Sequence, residues 1–270
     1  MRFRPKLPEH NPNIGRQRPL QDFLVLGGGI LLIVGLIYLL LGLAIDKAIT
    51  YISPEREQQW FQGWAPASSP SVEQETLQSL AHGLQKCTTL TYPITVHFMD
   101  SNESNAVVFP GGTVLIYRGL LNTLDSENAL AFVIAHELAH LQHRDHLRGM
   151  GRAVVLALLS SLLTGSHDTG ALFLPATELG LAQHSQQREL AADAAALATL
   201  DCYYGHTGGA EVFFQSMLQQ ETRLLPTWFD SHPALQVRLD ALKEKRHILG
   251  YTMKGVTPLP AALTTKAVAP

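Results

Sequence analysis

Within eleven residues, "HELAHLQHRDH", the chain carries His136, Glu137, His140, His143 and His146. On a helix, positions i and i+4 lie one turn apart on a single face, so His136 and His140 can direct ring nitrogens at one metal ion. Glu137 stands about 100° around the helix from His136, which suits it to a water on the metal rather than to the metal itself. The spacing is that of an H-E-x-x-H zinc-hydrolase helix. In that chemistry zinc brings the pKa of its water toward about 7, and the glutamate takes the proton as general base while the water attacks a carbonyl.

A catalytic zinc needs three protein ligands. His146 has the metzincin spacing, H-E-x-x-H-x-x-G-x-x-H, except that His143 stands where glycine belongs. Glycine allows the sharp turn that returns the third histidine, because positive φ is costly with a Cβ. If the helix continues, His146 lies roughly 15 Å along the axis from His136, and His143 two turns away. Both then read as ordinary polar residues toward the helix end. A better third ligand is Glu189 in "HSQQRELAADAAALATL", 49 residues beyond His140. Asp193, one turn on, can accept the Nδ1–H of a ligating histidine. The alanines at 191, 192 and 194 to 196 permit close helix packing, whereas the two acids alone would be a solvated helix face.

The elements around these residues predict a mainly α fold with a small β-sheet (α+β). A helix starts near Val72 with Ser71 as N-cap. "ITVHFMD" alternates like a strand, and "NAVVFPGGTVLIYRGLL" reads as strand, Pro-Gly-Gly turn, strand. Asp125 or Ser126 caps an amphipathic helix with Leu130, Val133, Ile134, Leu138 and Leu141 on one face, and the histidines lie on it. Ala153 to Leu163 is an apolar run too short to span a bilayer: a buried core helix, or a segment dipping into the membrane interface. A turn at Gly165 to Gly170 precedes helices over Thr177–Leu200, Gly209–Glu221 and Pro233–Ile248.

Phe23 to Ile45 is 23 residues without a charge. As a helix it would be about 34 Å long, enough to cross a hydrocarbon core of about 30 Å. It is longer than a signal-peptide apolar region of about 7–15 residues, so a retained anchor is expected. Arg2, Arg4, Lys6, Arg16 and Arg18 precede it, which places the N-terminus in the cytoplasm and the domain on the periplasmic or outer side of a plasma (inner) membrane. Pro5, Pro8, Pro12 and Pro19 argue against a mitochondrial presequence. The expected organisation is a basic arm (1–22), an anchor (23–45), a linker (46–71) with Trp60 and Trp64 at the membrane surface, a catalytic domain (72–250) and a loose tail (251–270). Gly28, Gly35 and Gly42 recur every seven residues and could admit a second copy or another membrane helix. Cys87 and Cys202 could pair in an oxidising compartment; two unpaired small core residues is the default. The net charge of −3 and the lack of an aromatic or arginine-rich platform give no sign of nucleic-acid binding.

Four segments together resemble the membrane zinc metallopeptidases typified by HtpX and the CAAX prenyl proteases, which are gluzincins. "HELAH" would supply two ligands and the base, and "ELAAD" looks like E-x-x-x-D, with Glu189 as third ligand. "NAVVFPGG" is similar to that family's strand and turn, and "SHPALQVR" to its Ser-His-Pro segment with a following arginine. The resemblance covers about Val72 to Ile248 and implies a zincin-like fold, one Zn2+ and protein or peptide substrates, with envelope quality control as the expected role. It places His232 near the reacting centre, either stabilising the oxyanion or taking the fourth zinc position and holding the enzyme latent. Arg238 would share the oxyanion or pair with a carboxylate. A substrate could add as a strand along Asn105, Ala106 and Val107, or that hairpin could merely support the sheet. HtpX-type members typically have further membrane helices and a cytosolic catalytic domain, whereas this chain shows one clear span and looks more like the family's small, singly anchored or periplasmic relatives. A zinc-stabilised, non-catalytic membrane scaffold is the rival reading.

Overall fold

The computed structural model describes residues 18–61, 63, 70–164, 185–220, 232 and 234–264. The arm before Arg18, Trp64, the Gly165–Gly170 turn, a helix start at Thr177, and Pro233 lie outside the described residues. In chain order the elements are α1 (Pro19–Ile49), α2 (Pro54–Phe61), α3 (Val72–Gln85), β1 (Thr95–Met99), β2 (Ala106–Phe109), β3 (Thr113–Tyr117) and α4 (Arg118–Leu121). There follow α5 (Glu127–His143), α6 (Asp145–Thr164), α7 (Gln186–Tyr204), α8 (Ala210–Gln220) and α9 (Leu235–Leu249). The domain is thus mostly helical with one small mixed sheet.

Serine side chains start the helices that matter. Ser71 accepts from the Gln74 N–H at 3.2 Å, and Ser126 from the Ala129 N–H at 3.2 Å, each satisfying one of the first-turn donors. In the sheet, β3 is central, with β1 parallel on one side and β2 antiparallel on the other. The β2–β3 hairpin turns through Gly111 and Gly112, whose φ of 85° and 89° other residues adopt only at a cost. A Cβ on Gly112 would also stand 2.7 Å from the Pro93 carbonyl oxygen.

α5 is not half-solvated as its periodicity suggests. Asn128 through Leu141 are all buried, because α3, β2, α7 and α8 pack around it. The alanines of α7 allow the close approach: Ala192 and Ala196 have no exposed surface. Leu77 and Leu84 of α3 share one core with Leu130 and Ile134 of α5, each worth roughly 1.5–3 kcal/mol on full burial. Phe132 packs on Phe213 and Phe214 with ring centroids 5.9 and 5.6 Å away.

Several sequence expectations are revised. The segment read as a linker holds α2, and its Glu57 is 1% exposed, accepting from the Gly111 N–H at 3.0 Å and lying 2.8 Å from His146 Nε2. The tail is fastened as far as Leu263: Thr257 donates its N–H to Asn128 Oδ1 at 2.7 Å, and Leu263 joins the core. Cys87 and Cys202 are not separate core residues. They form a disulfide between the ends of α3 and α7, with Cys202 exposed.

Among the described residues α1 is the one helix long and apolar enough to cross a membrane, with mean hydropathy 2.7 over its best window. A Cβ on Gly28, Gly35 or Gly42 would meet nothing within 4 Å, so the glycine stripe makes no tight contact inside this chain. The close approach comes from the other helix, at Gly151 of α6. The last helix starts later than Pro233 suggests: Ala234 adopts a left-handed φ of 68°, and α9 begins at Leu235.

Candidate metal centre and active site

His136 and His140 project from α5 one turn apart, and their Nε2 atoms stand 3.0 Å from each other. Glu189, from the first turn of α7, reaches both: Oε2 lies 3.4 Å from His136 Nε2 and Oε1 lies 3.3 Å from His140 Nε2. His232, ahead of α9, places Nδ1 2.9 Å from Glu189 Oε2 and 3.2 Å from His136 Nε2. All four side chains are buried, and one donor atom from each falls within a 4.8 Å cluster. Glu137 is buried beside them, with Oε1 3.5 Å from His232 Nε2.

The donor set fits a metal ion. Asp193 Oδ1 lies 2.9 Å from His136 Nδ1, and Asp145 Oδ2 lies 3.0 Å from His140 Nδ1. An imidazole that gives its Nδ1–H to a carboxylate presents a lone pair at Nε2. Here two such lone pairs and a carboxylate oxygen face one another, an arrangement a cation relieves. Ligands about 2.0–2.1 Å from a tetrahedral zinc stand ~3.3 Å apart. The Nε2–Nε2 and both Nε2–carboxylate separations fall close to that value.

The electrostatics agree. Burial alone would raise the Glu189 carboxyl, but His232, His136 and His140 outweigh it and hold it far below the usual carboxylate range. Burial likewise opposes ionisation of Asp193, and the Arg238 guanidinium together with His136 reverses the shift. Burial would lower His140, yet Asp145 and Glu189 raise it to about 9. His232 moves the other way, lowered chiefly by burial. The pocket thus holds more acid than base and draws positive charge, whether proton or metal.

Arg238 sits beneath this cluster, fully buried. It donates a fork to Asp193, Nε to Oδ2 at 2.8 Å and Nη2 to Oδ1 at 2.7 Å, and its Nη1 is 2.8 Å from Glu189 Oε2. Of the two roles read from the sequence, this geometry favours the carboxylate partner over the oxyanion donor. Asn105 is buried and its carbonyl accepts from the Tyr117 N–H, while Ala106 and Val107 begin β2, the one of the sheet's two edge strands that packs beside α5. Their side chains are buried rather than lining open space.

His143 and His146 stay outside the metal cluster, though not by the route expected. α5 ends at His143 because Arg144 turns left-handed (φ 57°), without a glycine. Arg144 is held there by donating Nη1 to the carbonyls of Ile49, at 2.8 Å, and Ile52. His146 is no ordinary polar residue: it is buried against Glu57. The same turn brings in Asp145, which sequence reasoning missed. Five residues past His140 on a continuous helix, it would point elsewhere; only the break at Arg144 brings it back to His140.

Residues 71–246 match the family described as peptidase family M48. A Vibrio cholerae protein bearing the name beta-barrel assembly-enhancing protease is 28% identical over 219 residues, 75% of this chain and 45% of that protein. The Escherichia coli beta-barrel assembly-enhancing protease is 25% identical over 194 residues, 66% of this chain and 39% of that protein. The mitochondrial metalloendopeptidase OMA1 of Danio rerio is 36% identical over 70 residues, 26% of this chain and 15% of that protein. The chain therefore spans less than half the length of each of these relatives. They support the broad family resemblance but not its narrower HtpX and CAAX prenyl protease branch. The matched segment contains the buried histidine and glutamate cluster, and on this ground the chain belongs to peptidase family M48, a family of metalloproteases.

Proposed function

We propose that this chain is a membrane-anchored zinc metalloendopeptidase that hydrolyses peptide bonds of proteins at the outer face of a plasma membrane, in envelope quality control. The observation that carries the reading is the convergence of His136, His140 and Glu189 donors beside the buried Glu137. Zinc held by these three would supply Lewis acidity toward a water and a peptide carbonyl. Glu137 accepts the water's proton and can return it to the leaving amine. Asp193 and Asp145 keep the Nδ1 protons of His136 and His140, which fixes both rings with Nε2 inward. Arg238 holds Asp193 and Glu189 in place. A substrate adds in extended form along β2, through Asn105, Ala106 and Val107. The disulfide suits an oxidising compartment, and the basic arm suits a cytoplasmic N-terminus, which together favour export of the domain.

His232 supports a second, latent reading of the same site. Its Nδ1 is as close to Glu189 and His136 as the other donors are to one another, where a fourth ligand would stand. Metal content and casein cleavage discriminate. Glu137→Gln should keep zinc and lose cleavage; undiminished cleavage would sink the mechanism. His232→Ala should gain cleavage if His232 closes the site and lose it if that residue serves the oxyanion. No cleavage in any variant, wild type included, favours a zinc-stabilised scaffold.

A further inference from the structure

α6 begins with Asp145, Arg148 and Arg152, and then runs twelve residues, Ala153 to Thr164, without a charge. Val155 is buried, but Val154, Leu156, Leu158 and Leu162 point away from the protein, Leu156 at 54% and Leu162 at 80% exposure. A core helix would not present such a face, so the bland expectation for this run is overturned.

The helix lies along α1. A Cβ on Gly151 would stand 2.5 Å from Ile45 Cγ2, and α1 shields Val34, Tyr38, Gly42, Ile45 and Ile49 along one stripe. Contacts step in opposite directions, from Arg144 at Ile49 to Gly151 at Ile45, so the two helices are antiparallel. Their charges stop at the same level. Asp46, the charge that ends the apolar run of α1, pairs with Arg152 Nη2 at 3.0 Å and Arg148 Nε at 3.4 Å. Past that rung neither helix carries a charge for the rest of its apolar run. At the rung opens a recess lined by Arg144, Arg148, Arg152 and Arg188 with Asp46 and Asp145, a cationic belt suited to the headgroup layer.

We propose that α6 enters the lipid bilayer beside α1 as a second, shorter embedded helix, with the Asp46–Arg152 pair at the headgroup boundary. The proposal rests on reading α1 as a membrane span. Twelve residues rise about 18 Å against a hydrocarbon core of about 30 Å, so α6 dips in without crossing. Lipid chains, rather than another protein, are its occupant, because its exposed apolar face is continuous with that of the span it lies on. Solitary surface leucines would be unremarkable, but a contiguous face is not.

The test uses the full chain in vesicles of phosphatidylethanolamine and phosphatidylglycerol. Nitroxide labels are attached at Val154→Cys, Leu158→Cys and Leu162→Cys, the native cysteines being paired. Leu36→Cys on α1 reports the span, and Val237→Cys on α9 reports water. At 158 and 162 collisions with oxygen should exceed those with an aqueous nickel chelate several-fold, as at 36 and opposite to 237, with depth increasing from 154 to 162. Chelate access at 158 and 162, with 36 still in lipid, would overturn the proposal and leave the anchor standing. Shielding from both reagents would overturn it too, showing a protein surface over α6. A water-exposed label at 36 would remove the anchor reading and the proposal together.

Discussion

Replacing Arg238 with leucine takes one buried cation from between two buried carboxylates. The side chains of Arg238 and Glu189 have no exposed surface, and that of Asp193 is 4% exposed. The guanidinium carbon also lies 5.0 Å from the centroid of the Phe214 ring, so water has little room to replace it. Removing one member of a buried ion pair costs about 3–5 kcal/mol, because the remaining charge is left uncompensated. In a domain of this size 1 kcal/mol moves Tm by about 2–4 °C, so metal-free Arg238→Leu should unfold ~6–20 °C below the metal-free parent. Bound zinc would neutralise part of the same charge, so the deficit should shrink in metal-loaded protein. Thermal unfolding of the full chain in detergent, stripped and loaded, gives both numbers. Arg238→Lys keeps the charge without the planar fork and should fall between. A stripped Arg238→Leu protein with the parental Tm but no cleavage would refute the reasoning and make the guanidinium a substrate-facing group.

Asp145→Asn should weaken zinc binding about 10–100-fold by loosening His140, as competition with a fluorescent chelator would show; unchanged affinity would mean that His140 needs no such partner. Reducing the Cys87–Cys202 disulfide, whose partners are 115 positions apart, should cost ~5 kcal/mol in the chain-entropy account, measured as a Tm loss on adding reductant. Glu57 offers a pH signature. Burial opposes its ionisation, but His146, the Gly111 N–H and Arg144 outweigh it and lower its pKa below the ordinary 4.5. Its contribution is therefore complete above about pH 4.5 and lost as pH falls through the lower folded value. Stability of the parent should decline more steeply in that acid range than that of Glu57→Gln, and matching acid limbs would show that Glu57 contributes nothing through its charge.

Much of the site was legible because its chemistry is periodic. Two histidines four apart on a capped helix can share one ion, and a glutamate four before an aspartate can join them, so His136, His140, Glu189 and Asp193 could be named without coordinates. The hairpin was legible from Pro110, Gly111 and Gly112. What escaped depends on contacts between distant segments. Nothing local to Glu57 announces that it will be buried under His146, and Asp145 reaches His140 only because Arg144 adopts a conformation that glycine usually supplies. The burial of α5 on all sides escaped for a similar reason. Its small residues look indifferent in one dimension, and they are enclosed only once α3, β2, α8 and the alanine face of α7 have packed around them. The disulfide, too, joins two helix ends whose proximity is a property of the packed bundle.

The turn at Arg144 has a consequence for any fragment of this protein. Three successive residues face different ways: Asp145 steadies a histidine of the metal cluster, while Arg144 and His146 grip Ile49, Ile52 and Glu57 in the stretch leaving α1. A protease that clipped the chain between α2 and α3 could let that stretch leave with the anchor. Arg144 would then keep its left-handed backbone, at roughly 1–2 kcal/mol, on its backbone N–H bonds to the His140 and Leu141 carbonyls alone. Its neighbour Asp145 would be the next to lose position. If the chain is anchored and holds zinc as proposed, a fragment trimmed at Val72 lacks the contacts that steady Arg144 and Asp145, and should bind the metal more weakly than the full chain.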